Sequence, residues 1–139
     1  MVNDWFVPAR INRMEHESVF REHRVFWTPM VMIMDQEGRE HFRFTGFLPP
    51  TELCARLILD GAKIELSRKD FKLADKCLRE VVETYKGTFA APEAVYYQAV
   101  SHYMQRHDAS ALKKGLETLR QQFPHSEWAL RAKPYELIH

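Results

Sequence analysis

Apolar positions follow two different rhythms, and the change between them falls at Pro49-Pro50. Before the two prolines the pattern is extended. Met30 to Met34 is an unbroken apolar run, as expected of a strand covered on both faces. Asp35-Gln36-Glu37-Gly38 then supplies turn chemistry, with Gly38 free to take the positive φ that a β-carbon resists. From Glu40 to Thr45, Phe42 and Phe44 alternate with His41, Arg43 and Thr45, which predicts the second strand of a hairpin with one wet face. Trp5 to Ile11 reads as a further strand, and Pro8, which cannot donate to a ladder, assigns it to a sheet edge. Between these segments, Met14 to His23 predicts a short, weakly amphipathic helix around Val19 and Phe20.

After the prolines the spacing is helical almost to the end. Five helices are predicted, over Thr51–Leu66, Asp70–Tyr85, Pro92–Arg106, Ala109–Gln122 and Glu127–Lys133. Phe71, Ala74, Leu78, Val81 and Tyr85 form one apolar stripe, and Ala109, Leu112, Leu116, Leu119 and Phe123 form another. Asp108 and Ser126 suit N-caps, while Pro92-Glu93 suits a first turn, where a missing N–H costs nothing and a carboxylate meets the positive end of the helix dipole. A shift of 38 positions pairs Asp70 with Asp108, Leu78 with Leu116, Tyr85 with Phe123, Ala91 with Ala129 and Ala94 with Ala132, so the helical half contains an internal repeat.

Composition narrows the function classes. The 139 residues are 45% hydrophobic and 28% charged, enough for one domain or two small ones. Twenty basic against nineteen acidic side chains leave a net charge of +1, so nothing in the overall field recruits nucleic acid or an acidic membrane. No apolar run approaches the roughly 20 residues that cross a bilayer, no secretory leader is apparent at Met1, and a cytoplasmic location is the expectation. Seven histidines form no His-x3-His pair and none neighbours a cysteine at ligand spacing, so no metal site is expected, and no cofactor either. There is no Gly-x-Ser-x-Gly elbow and no glycine-rich phosphate motif. Cys54 and Cys77 sit 23 positions apart inside helical patterns, as buried reduced thiols do.

Two resemblances organise these elements into an α+β chain. Thr28-Pro29, Asp35 to Arg39 and Gly46 to Leu53 resemble the second half of a thioredoxin fold, from residue 1 to about 66. Asp70-Phe71-Lys72-Leu73-Ala74, Val81-Val82-Glu83-Thr84-Tyr85 and the Phe123-Pro124-His125-Ser126-Glu127-Trp128-Ala129 junction resemble antiparallel tetratricopeptide repeats, although Leu112 stands where the second copy should carry a small residue and the period exceeds the usual of about 34. The expected organisation is therefore a partial thioredoxin-like sheet, an edge strand plus a hairpin, over residues 1–66, and a tetratricopeptide-like array over 53–139 that shares the helix at 51–66.

The thioredoxin resemblance implies that Pro29 is a cis-proline and that the backbone of Thr28 helps hold an extended peptide, although Met30 stands where the family usually has threonine. Trp27 would lie at the rim of that face, so Trp27, Thr28, Pro29 and Met30 are the expected peptide- or partner-binding residues. The family's Cys-x-x-Cys belongs to a helix whose end would correspond to Met1 to Asp4, and neither Cys54 nor Cys77 qualifies for dithiol exchange, so no catalytic residue is assigned. Without its first strand such a sheet leaves Met30 to Met34 with an open edge. The N-terminal strand could slide in beside it, a second copy could supply a strand, or the chain could be a late-starting piece. Two functions follow: a noncatalytic module that binds a protein or extended peptide and can self-associate through that edge, or part of a thiol–disulfide oxidoreductase whose cysteine pair lies upstream of Met1.

Overall fold

The helical spacing after Pro49 produces five α-helices and a short terminal turn. In the computed structural model, which describes residues 6–139, these are α2 (Pro50–Ser67), α3 (Phe71–Thr84), α4 (Ala90–Arg106), α5 (Ser110–Gln122) and α6 (Glu127–Arg131), followed by a 3₁₀ turn at Lys133–Leu137. Caps set several of these limits. The Asp70 carboxylate accepts from Leu73 N at 3.1 Å, and the Ser126 hydroxyl accepts from Ala129 N at 3.1 Å, each satisfying an amide that the first turn leaves over. Asp108 behaves as an N-cap one residue out of place: its carboxylate accepts from Ser110 N at 2.9 Å and the helix starts there. α4 starts two residues earlier than Pro92, because Ala90 and Ala91 are small enough to be buried in the helix interface and a proline is still tolerated within the first turn.

The chain divides into two compact units, Met1–Pro49 and Pro50–His139. In the second, α2, α3 and α4 enclose one core. Ala55, Ile58, Leu59, Ala62 and Leu66 of α2 meet Ala74, Cys77, Leu78 and Val81 of α3 and Ala90 and Ala94 of α4. A second core joins Val95 of α4 to Leu116 and Leu119 of α5 and to Ala129 and Ala132 at the end of the chain. Both stripes predicted from the spacing thus face inward, Leu78, Val81, Leu116 and Leu119 being among the most completely enclosed side chains. Short connections fold each helix back on the one before it.

The first unit contains α1 (Glu17–Glu22), β1 (Met30–Met34) and β2 (Glu40–Thr45). The helix ends where Arg24 takes a positive φ of 54° and Val25 N returns to Phe20 O at 2.8 Å. β1 and β2 form an antiparallel hairpin with Met30 opposite Thr45, Val31 opposite Phe44, Met32 opposite Arg43 and Ile33 opposite Phe42. A bulge at His41 then shifts the register, so that Met34 faces Glu40. The turn is organised by Asp35. Its carboxylate accepts from Glu37 N and Arg39 N at 3.0 and 2.9 Å, and Gly38 takes a φ of +76°.

Two expectations for this unit are corrected. Trp5 lies outside the described residues, but Phe6 to Ile11 forms no strand, and β1 and β2 make the only sheet among the described residues. Pro8 offers no donor, and Val7 is 98% exposed, so this stretch has neither a ladder nor a buried face to hold it extended against a neighbour. It therefore does not slide in beside Met30–Met34. Nor is β1 enclosed on both faces. Ile33 alone is buried, while Met30 and Met32 are half-buried and Met34 is exposed, because they share the hairpin's second face with Arg43 and Thr45.

Candidate functional site

The segment from His23 to Met30 leaves α1, crosses an irregular stretch and enters β1, and three contacts fix it. The Arg43 guanidinium donates to His23 O at 2.9 Å and lies 3.7 Å from the Met30 sulfur. Glu40 holds the same guanidinium from the other side in a two-point ion pair, which lowers the Glu40 carboxyl below its ordinary range. At the strand entrance Gly46 N donates to Pro29 O at 2.8 Å, extending the ladder one step beyond Met30 and Thr45. Gly46 has a φ of +100°, which a side chain would resist, so a glycine is needed to turn the chain there.

The Thr28-Pro29 peptide bond is cis. Thr28 and Pro29 are exposed and Met30 is half-buried. Trp27 is 68% exposed, and Phe26 and Phe47 are more exposed still. Phe47 directly follows Gly46, whose N–H donates to Pro29 O. Large aromatics normally bury most of their surface, and these three are left in water in the segments on either side of the Pro29–Gly46 bond. Trp27, Thr28, Pro29 and Met30, expected from the sequence, are contiguous here. Phe47 and the anchoring role of Arg43 were not anticipated. The alternation of β2 marked Arg43 only as a position on the wet face, and its reach to His23 depends on tertiary placement.

The cysteines are far less suited to chemistry. Both belong to the second unit, Cys54 half-buried on α2 and Cys77 buried on α3, and both are free thiols. Burial pushes the Cys77 thiol up to about 11, with the Glu80 charge adding to the effect, which is the opposite of what thiolate chemistry requires. Among the described residues no group of three His, Cys, Asp or Glu side chains could hold a metal ion, and no helix is long and apolar enough to cross a membrane.

The second unit contains one buried cluster of charges that the sequence did not announce. On α2, Arg56 and Lys63 flank Asp60, and from α4 Glu93 joins them, 2.9 Å from Arg56 Nη1 and 2.8 Å from Lys63 Nζ. Lys63 also lies 5.3 Å from the centre of the Tyr97 ring. Two cations and two carboxylates balance, and each has partners. Burial raises the Asp60 carboxyl, opposed by the Arg56 and Lys63 charges. The cluster is a polar clasp between two helices.

Residues 3–58 match the family model of a thioredoxin-like domain, a span that contains the Trp27-Thr28-Pro29-Met30 segment and the hairpin and ends within α2. No curated protein and no solved structure is significantly similar to the chain.

Proposed function

We propose that the chain is a noncatalytic, thioredoxin-like binding module that holds an extended peptide or a segment of a partner protein along Trp27, Thr28, Pro29 and Met30. The observation that carries this reading is the exposed Phe26, Trp27 and Phe47 beside the cis Thr28-Pro29 bond, at the entrance of a strand. The aromatic faces offer apolar area at low entropic cost, and the exposed Thr28 backbone offers a donor and an acceptor to an extended chain. The helices from Pro50 onward are read as tetratricopeptide-like, a scaffold of two imperfect copies that supports protein contacts. Their support is the repeat at 38 residues, in which α3 and α5 present matching apolar stripes.

The competing reading is a part of a thiol–disulfide oxidoreductase, favoured by the match to a thioredoxin-like domain and the cis-proline together. One pair of measurements separates the two. Calorimetric titration with a reduced, carboxymethylated unfolded protein is expected to give saturable binding that Trp27→Ala weakens by about tenfold, the scale of losing a single buried aromatic anchor of about 1.4 kcal/mol or more. Insulin reduction with dithiothreitol is expected to proceed no faster than without the protein. Turnover abolished by Cys54→Ser or Cys77→Ser would overturn the proposal.

A further inference from the structure

The two edges of the hairpin are built differently. In an antiparallel ladder, residues alternately spend their N–H and C=O on the partner strand or turn them away. The phase is fixed at both ends of β1: Gly46 N donates to Pro29 O, and Asp35 N donates to Arg39 O at 2.9 Å. Val31 and Ile33 therefore bond to β2, while Met30, Met32 and Met34 turn their N–H and C=O outward. No described backbone group pairs with them. The outer edge of β2 has the usual protection, a bulge at His41 and charged side chains at Glu40 and Arg43, whereas β1 has no charge, bulge or internal proline.

The geometry points to a second copy of this chain as the occupant of the β1 edge, paired antiparallel about a two-fold axis through Met32. Met-Val-Met-Ile-Met is nearly self-complementary under that operation. Met30 falls opposite Met34 of the second copy, Val31 opposite Ile33, and Met32 opposite Met32. The outward-turned residues Met30, Met32 and Met34 are the ones that this register asks to exchange both of their hydrogen bonds, so sequence symmetry and hydrogen-bond phase coincide. A register displaced by one residue would break the second condition. Val31, Ile33, Phe42 and Phe44 of both copies would then line one continuous face of a four-stranded sheet, and the methionines would line the other, with no like charges opposed. This edge begins at Met30, which it shares with the proposed peptide site, but the pairing does not depend on the function proposed for that site.

Sedimentation of the parent chain over a range of concentrations tests the association directly, and single cysteines test the register. The mass is expected to move reversibly from one chain to two as concentration rises. The amides of Met30, Met32 and Met34 should gain protection from hydrogen exchange over the same range. On mild oxidation Met32→Cys should cross-link to its own counterpart, since directly opposed residues of a hydrogen-bonded pair lie about 5.5 Å apart at Cα. Val31→Cys should not, because it meets its counterpart only diagonally, at roughly 7–8 Å. Trp27→Ala should leave all of this unchanged while weakening peptide binding, which keeps the two proposals apart. A chain that stays monomeric up to the concentration of an NMR sample would overturn the inference. So would amide protection independent of concentration, which would mean that another segment of the same chain covers the edge, or cross-linking of Val31→Cys as efficient as that of Met32→Cys.

Discussion

Gly115 of α5 faces Ala99 of α4 so closely that a β-carbon at Gly115 would overlap the Ala99 methyl group. Gly115 is buried, and its φ is ordinary for a helix, so the requirement is for space. Glycine inside a helix costs up to about 1 kcal/mol relative to alanine, and this helix accepts that cost to let α4 and α5 approach. Gly115→Ala should therefore destabilise the protein by about 1–2 kcal/mol, overpacking exceeding the gain in propensity. Adding Ala99→Gly should recover part of the loss. Urea unfolding of the two single variants and the double variant measures the coupling, and simple additivity would contradict the contact.

The clasp between α2 and α4 predicts a larger effect. Glu93 is 5% exposed and pairs with both Arg56 and Lys63. Glu93→Ala would leave both cations facing Asp60 alone in a largely enclosed space, a change expected to cost about 2–4 kcal/mol, the lower figure reflecting the partial exposure of Arg56. Arg56→Ala should cost less, since Lys63 still serves both carboxylates. Thermal unfolding with the reverse order of losses would show that Glu93 is not the hub.

Parts of this organisation could be read before any coordinates. The stripes of α3 and α5, the cap at Ser126, and the hairpin with its Asp35 turn follow from local rules, because periodicity, capping chemistry and turn residues act within a few positions. Charge pairing across helices does not. Arg56, Asp60 and Lys63 have the spacing of an ordinary solvated helix face, and only the approach of Glu93, 37 positions from Arg56 along the chain, turns them inward. The segment Phe6 to Ile11 failed for the opposite reason: its residues have the right propensity, but a strand also needs a partner. At the candidate site, the cis Thr28-Pro29 bond was legible from the resemblance, whereas the reach of Arg43 to His23 depends on tertiary placement.

Asp35 should make the hairpin sensitive to acid. The Arg39 amide is the chief cause that holds its carboxyl down to about 2, helped by His41, the Arg39 charge and the Glu37 amide against some cost of enclosure. A carboxyl whose folded pKa is depressed contributes stability that is complete above its ordinary value near 3.8 and is lost as pH falls from there through about 2. Carbon-detected titration of the Asp35 carboxyl should give a midpoint near 2. Asp35→Asn should remove this component of the acid dependence and loosen the turn at neutral pH, visible as faster amide exchange at Glu37 and Arg39.

Cys77 predicts a chemical silence that reports on folding. It is 2% exposed in the core between α2 and α3, and its thiol is pushed up to about 11. At neutral pH both the thiolate fraction and access are therefore low, so a thiol reagent should label Cys77 only when the helices open. In the Cys54→Ser background, labelling with an excess of maleimide should follow the opening equilibrium and accelerate with urea in step with unfolding measured by circular dichroism. Replacing Cys77 with serine puts a hydroxyl into an apolar site and should cost about 1–3 kcal/mol, whereas alanine leaves a small void and should cost less. Fast labelling of Cys77 in the native protein, at a rate unaffected by urea, would mean that the thiol is open to solvent and would require a different packing of α2 on α3.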